Sequence, residues 1–247
     1  MTEQREGFIL SIAAFMMGSC VMSFLMFVAE VRMISFDLFF KRSICQCCQR
    51  RLIWLDLIPI VSFIFLKGRC RYCNQHIPLK LLIAEIMGGT LTLIPFYFPL
   101  YLHLNIFYIT AFILLTLSFV DIERLVIPHR FLILLLFSNA LLLWPTSISF
   151  IQYSLLFIMI VCSYLFNSYI GMGDFKLLCV LIILFPPLFI AFIIWLMFPL
   201  GVLVMLGLRC LGLLHLPYVP LVPAICISFI CTAIMYPQFV FFIGGTI

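Results

Sequence analysis

The sequence predicts an all-α polytopic membrane protein with about eight transmembrane helices and one cytoplasmic zinc-type loop between the first two. Three observations carry that expectation. Of 247 residues, 66% are apolar and only 9% are Asp, Glu, Lys or Arg, against roughly 45–50% and about 25% in ordinary soluble domains. Apolar runs long enough to cross hydrocarbon recur along the chain. The basic residues are concentrated in one stretch: nine of the fourteen lie between Arg32 and Lys80, beside only two acids, Asp37 and Asp56. So few charges cannot cover a soluble fold of this size, which excludes water-soluble enzymes, secreted disulfide scaffolds and disordered regulators.

The spans follow in order. The first covers about residues 8–31 after a short polar start; it is too long for a cleaved signal peptide and lacks a small-residue cleavage site. The basic loop, residues 32–80, comes next. The second and third spans are about 81–101 and 106–120, followed by the polar turn from Asp121 to Arg130. The fourth is about 131–144, with a turn at Pro145-Thr146-Ser147, and the fifth about 150–166. From Leu177 to Leu208 the chain is apolar for too long to be one span, and Pro186-Pro187 is expected to divide it. The eighth is about 221–243.

Counting basic residues orients the bundle. With the N-terminus outside and the loop cytoplasmic, Arg124, Arg130, Lys176 and Arg209 join the nine inside, leaving only Arg5 outside. The opposite orientation would invert the positive-inside bias. The same rule explains the net charge of +5 as membrane retention, so no nucleic-acid partner is expected.

The loop carries Cys45-Gln46-Cys47-Cys48 and, further on, Cys70-Arg71-Tyr72-Cys73. Two C-x-x-C knuckles suit a tetrahedral zinc thiolate site, each supplying two sulfurs from one tight turn. The expected ligands are Cys45, Cys48, Cys70 and Cys73, with Cys47 clouding the first knuckle's register and His76 a possible replacement. The reducing cytoplasm argues against disulfides. A closed four-thiolate site has no open position, so this zinc would be structural. The other six cysteines lie in or beside apolar spans and read as small hydrophobes.

The nine acids are more telling. Glu30 closes the first span beside Arg32. Asp121 ends the third span and Asp174 begins the sixth, both at the cytoplasmic edge of that topology. Carboxylates this close to hydrocarbon are costly, and two at one depth suggest a pair. A water between paired carboxylates can attack a peptide carbonyl when one is ionised and the other protonated. Gly171 and Gly173 would allow close approach and strained backbone just before Asp174. Against this, a helix starting at Asp174 would make it an N-cap, and Asp121 could merely anchor a helix end near Arg124. Spacing alone leaves catalysis and capping open.

Taken together and in order, these motifs resemble the type IV prepilin peptidases, the Gly-x-Gly-Asp membrane aspartyl proteases that also process competence pseudopilins. The residues are Gly18-Ser19; Ser43 through Cys45, Cys48, Leu52, Trp54 and Asp56-Leu57-Ile58-Pro59 to Ser62, Gly68, Cys70 and Cys73; Glu85; Asp121 with Ile127-Pro128; Gly171-Met172-Gly173-Asp174-Phe175-Lys176-Leu177; and Pro220 with Pro223-Ala224. Two positions depart from the family pattern: His129 stands where an Asp or Asn is usual, and Cys20 where a Phe is usual.

The resemblance implies an aspartyl peptidase core over residues 81–247, after the helix of residues 1–31 and the four-cysteine loop of 32–80. It implies removal of a basic leader from prepilin or pseudopilin substrates, after a Gly, at the cytoplasmic face of the bacterial inner membrane. Methylation of the new N-terminus with S-adenosylmethionine is implied too, although the chain shows no Gly-rich methyl-donor loop. Asp121 and Asp174 would share acid and base work, with Gly171 and Gly173 shaping the substrate's approach. Lys176 would screen Asp174 or simply snorkel. Pro128 belongs to the first aspartate's motif. Glu85 would bind the basic leader or the new amine, or make a contact between helices. Glu123 is a neighbour outside the motif.

Two other classes fit parts of the pattern. An ion-coupled transporter would use the aspartates for cations or protons, and a non-enzymatic scaffold would need the cysteines but not the aspartates. H-E-x-x-H, Gly-x-Ser-Gly and paired D-T-G signatures are absent.

Overall fold

The computed structural model describes residues 2–31, 43–45, 47–143, 149–165, 171–212 and 219–242. The start of the basic loop (Arg32, Asp37, Lys41, Arg42) and the expected turn Pro145-Thr146-Ser147 lie outside them.

Among the described residues, eight long helices stand where the apolar runs predict them. They are α1 (Thr2–Glu30), α2 (Leu79–Tyr97), α3 (Leu104–Arg124), α4 (His129–Leu143), α5 (Phe150–Leu165), α6 (Met172–Leu184), α7 (Pro187–Cys210) and α8 (Val222–Phe242). Among the described residues α1, α2, α3, α7 and α8 are long and apolar enough to cross a membrane. The other three fall short of the roughly 20 residues a full crossing takes. A four-residue 3₁₀ turn (Trp54–Leu57) and a one-turn helix (Val61–Phe65) lie in the loop. Large apolar side chains on the outside, such as Phe8, Ile9, Phe150, Phe157 and Tyr164, have the solvation of lipid-facing residues rather than of a water-facing surface.

The chain divides into two compact units, Met1–Tyr97 and Phe98–Ile247. In the first, α1 packs along α2, so the second helix joins the loop's unit rather than the rest of the span-forming chain. Small residues allow the contact: a Cβ added at Gly88 would stand 2.8 Å from the Gly18 carbonyl oxygen, an approach that only glycine permits. Thr92 Oγ1 crosses the same seam to donate to the Ala14 carbonyl (2.9 Å). At its far end Glu30 pairs with Lys80 (2.9 Å).

In the second unit, α3 and α8 form the buried centre, with α7 against α8, α4 and α6 in contact, and α5 against α6. Phe107, Phe185, Phe189 and Phe229 are fully or almost fully buried and meet ring to ring. Pro186-Pro187 separates α6 from α7 as expected. Proline at 186 has no N–H to give the Ile182 carbonyl one turn back. The buried Gln152 of α5 replaces it, its Nε2 donating to the carbonyls of Ile182 (2.9 Å) and Phe185 (3.2 Å). Without water in the hydrocarbon, such repairs must come from the protein.

Candidate active site and metal centre

Three helix ends meet in the second unit. Asp121 stands one turn before the end of α3 and is 5% exposed. Its backbone carbonyl accepts the N–H of Leu125 (2.9 Å), which caps the helix in the left-handed region (φ 52°, ψ 36°). That conformation is uncommon for leucine and must be held by its surroundings; buried Ile127 lies just beyond it. Asp121 Oδ2 accepts the backbone N–H of Val222 at 3.1 Å, across 101 residues of sequence. The Leu221 N–H also lies close to this carboxylate. These are the unpaired N–H groups at the start of α8. Asp121 therefore joins α3 to α8, and no ion pair with Arg124 is present among the described residues.

Asp174 enters from the opposite helix end. α6 begins at Met172, with Gly171 as N-cap in extended backbone (φ −62°, ψ 138°). Asp174 is thus the third helical residue rather than the cap that the sequence suggested. Its N–H donates to the Gly171 carbonyl (3.0 Å) and its carboxylate lies beside the Gly171 N–H, which is half of a capping box, because glycine has no side chain to complete it. Its carboxylate also lies within direct charge–charge range of Asp121. Capping and pairing are therefore held by one side chain.

The two glycines act by space rather than by strain. Gly171 has an ordinary φ and Gly173 lies inside α6; among the described residues the positive-φ glycines are Gly68 and Gly212. The expected strained backbone is absent. A Cβ at Gly173, however, would stand 3.2 Å from Cβ and Cγ1 of Ile127. Ile127 belongs to the Asp121 segment, so the bare backbone at Gly173 is what lets the two aspartate-bearing segments touch. Pro128 follows directly, and its carbonyl accepts the Phe131 N–H (3.1 Å) at the start of α4.

Lys176 is exposed, about 200° around α6 from Asp174, and no ion pair joins them. Glu123 is exposed on the outer side of α3's last turn. Two carboxylates near enough to feel each other's charge can divide acid from base work.

In the first unit the loop folds into two matching knuckles. Cys45 N–H donates to Arg50 O (2.9 Å) and Gln49 N–H to Cys45 O (2.9 Å); Cys70 N–H donates to Gln75 O (2.8 Å) and Asn74 N–H to Cys70 O (3.0 Å). Gln49 and Asn74 have φ of 56° and 55°, and the bridges Ile44–Arg51 and Arg69–His76 flank the turns. The sulfurs of Cys45, Cys48, Cys70 and Cys73 all lie within 4.8 Å of one another, with Cys45 and Cys73 at 3.8 Å. A tetrahedral zinc with Zn–S of about 2.3 Å has edges of about 3.8 Å, so the set fits the ion. Cys47 and His76 stand outside the cluster, which settles the register. Backbone N–H groups of Cys48 and Cys47 push the Cys45 thiol down to about 6. The Gln75 N–H pulls Cys73 the same way but is outweighed by burial and the neighbouring thiols, leaving Cys73 at about 12.

Glu85 has both oxygens engaged. Oε1 accepts from Ser23 Oγ of α1 (2.9 Å) and Oε2 accepts the Ile60 N–H (2.7 Å). Ile60 sits at φ 62°, ψ −51°, with the Val61 N–H donating to Pro59 O (2.6 Å), a strained γ-turn that is rare for a β-branched residue. Glu85 thus clamps the end of the loop to α1 and α2. No sequence signal marked Ile60, nor the N–H groups of Leu221 and Val222, because each acts through its backbone.

The comparisons agree with the motifs. Residues 16–98 match the model of the bacterial peptidase A24 N-terminal domain. The chain is 29% identical to a prepilin leader peptidase/N-methyltransferase of Dichelobacter nodosus over 59% of this chain and 55% of that one. It is 29% identical to one from Klebsiella pneumoniae over 59% and 69%, and 36% identical to one from Bacillus subtilis over 38% and 39%. The matches thus span from under two fifths to just over two thirds of those relatives' length. No solved structure matches. Residues 16–98 are thus similar to that N-terminal domain, and the relatives that the chain matches are named prepilin leader peptidase/N-methyltransferase.

Proposed function

We propose that this protein is a membrane aspartyl endopeptidase that removes the leader peptide from prepilin-like proteins at the cytoplasmic face of the inner membrane. The observation that carries the reading is the approach of Asp174 to within charge range of Asp121, which the Val222 N–H holds in place, where α3 ends and α6 and α8 begin. One carboxylate takes a proton from the water as it attacks the scissile carbonyl carbon. The other, protonated, donates to the carbonyl oxygen, and the proton finally passes to the departing amine nitrogen. Gly173 sets the spacing of the pair through Ile127, and Gly171 leaves room beside the Asp174 carboxylate. Lys176, exposed near the same edge, would face the lipid headgroups.

Zinc, bound by Cys45, Cys48, Cys70 and Cys73, would hold the loop together and supply no open coordination site. Glu85 fastens the end of that loop. N-methylation of the new amino terminus from S-adenosylmethionine comes from the relatives' name alone. The loop with its basic residues would be cytoplasmic and the N-terminus outside.

The test is co-expression with a prepilin-type substrate and mass spectrometry of its N-terminus. Wild type should trim the leader. Asp121→Asn and Asp174→Asn should each lower cleavage at least about a hundredfold. Stable variants that still cleave would sink the mechanism. A transporter would instead lose ion flux with cleavage never observed.

A further inference from the structure

An apolar stretch runs from Leu52 to Leu66 in the middle of the basic loop, with Arg50 and Arg51 before it and Lys67, Arg69 and Arg71 after it. The only ionisable side chain in it is Asp56, which is 2% exposed and bound by Nε (3.0 Å) and Nη2 (2.7 Å) of Arg71. An apolar stretch this short cannot cross hydrocarbon, and belongs either in a protein core or at a membrane surface. It is not core: neither the turn Trp54–Leu57 nor the helix Val61–Phe65 buries a residue. Trp54 is 72% and Phe65 82% exposed, and Leu57 and Ile64 are open as well. Large apolar groups left open in this way mark a surface that something else covers.

The clamp at Glu85 sets the depth of this stretch. Glu85 is six residues into α2, and Ser23 is seven residues short of the end of α1. Glu85 Oε1 accepts from the Ser23 hydroxyl and Oε2 from the Ile60 N–H (2.7 Å). The two helix ends carry the Glu30–Lys80 ion pair, charges that belong at headgroup level. At 1.5 Å per residue, and allowing for the reach of the side chains, the Ile60 N–H lies about 5–10 Å inside those ends, the depth of interfacial segments. Arg50, Arg51, Lys67 and Arg69 are exposed on either side of the stretch, where they suit phosphate headgroups. The geometry points to an interfacial membrane anchor inside the loop. Residues 52–66 lie in the headgroup and upper acyl region of the leaflet on the loop's side, with Trp54, Leu57, Ile64 and Phe65 against lipid, and the cysteine knuckles that flank them remain in water. The anchor needs α1 and α2 to be membrane spans, for which both are long and apolar enough, and is independent of the peptidase chemistry.

The experiment reads the depth of Trp54 by fluorescence. Trp144→Phe with Trp195→Phe leaves Trp54 as the one tryptophan of the full-length chain. The protein is reconstituted in nanodiscs of phosphatidylcholine and phosphatidylglycerol, whose two faces are both open to solvent. Trp54 emission should lie to the blue of free tryptophan, and iodide should quench it about threefold or more less effectively than it quenches free tryptophan, because the ring sits among acyl chains. Phosphatidylcholine brominated near the top of the acyl chain should quench it more than the same lipid brominated near the chain's end. Strong iodide quenching with no effect of brominated lipid would put the segment in water and overturn the proposal. Protection from both quenchers would mean that another part of the chain covers Trp54, and stronger quenching from the chain's end would place it in the bilayer centre; either result overturns the proposal too. Should the double variant fail to fold, the difference between wild type and Trp54→Phe reads the same signal with Trp144 and Trp195 in place.

Discussion

A β-carbon at Gly173 is the smallest change that reaches both aspartates. Glycine to alanine within a helix ordinarily stabilises by about 0.5–1 kcal/mol. At Gly173 the new methyl would press on Ile127 at 3.2 Å and push the segment bearing Asp121 away from α6. Gly173→Ala should therefore lower cleavage several-fold with little change in melting temperature. Gly173→Val should abolish it, with overpacking costing about 1–3 kcal/mol. Full activity and a raised melting temperature in Gly173→Ala would refute the close-approach argument. The residue types were legible in the sequence because acids are so scarce in this chain, and scarcity made Asp121 and Asp174 conspicuous. Their supports were not: the Val222 N–H reaches Asp121 across 101 positions, and a backbone donor leaves no trace in residue identity. Gly171 and Gly173 were legible as important yet misread as strained, since a glycine in sequence does not reveal whether φ or space is what it supplies.

Among the elements, the two knuckles and the helix break were the most readable, each for a covalent reason. C-x-x-C spacing fixes two sulfurs on one turn, and consecutive prolines remove two N–H groups. What repaired the break, Gln152 of α5, was not readable, because a glutamine in an apolar run names no partner. Nor did the sequence show that α2 would pack on α1 through Gly18 and Gly88 rather than join the later helices. The knuckle geometry makes a prediction about the metal. The purified protein should contain zinc in an all-sulfur environment, seen by X-ray absorption as four sulfurs at about 2.3 Å. Exchange for Cd²⁺, a thiolate-loving ion, should leave leader cleavage within about twofold, because a closed four-thiolate site offers nothing to the substrate. Cys48→Ser should lose metal and lower thermal stability. Loss of cleavage on Cd²⁺ exchange, with the metal still bound, would mean that the ion takes part in the chemistry.

For the molecule as a whole, thirteen of fourteen basic residues fall on one side of an eight-helix path when the N-terminus is outside. The same path puts the end of α3 and the starts of α6 and α8 on that side. Those are the three ends that the second unit brings together around Asp121 and Asp174. Charge bias and local packing are independent observations, and both require an even number of crossings between Asp121 and Val222, which the path meets when the shorter helices α4, α5 and α6 cross as well as α7. Alkaline phosphatase fused after Tyr101, between α2 and α3, should therefore be exported and active, whereas fusion after Lys67 in the basic loop should be inactive. Fluorescent-protein fusions at the same two positions should show the reverse pattern. Phosphatase activity after Lys67 would place the loop and its thiols in an oxidising space, where disulfides become the stable state of the four cysteines. It would also carry the aspartate pair away from a leader that begins in the cytoplasm. The positive-inside rule acts most strongly through charges close to span ends, so Lys80 at the start of α2 is the sensitive position. Lys80→Glu leaves both fusion reporters unchanged if the whole charge distribution sets the orientation, and mixes them if that one residue does.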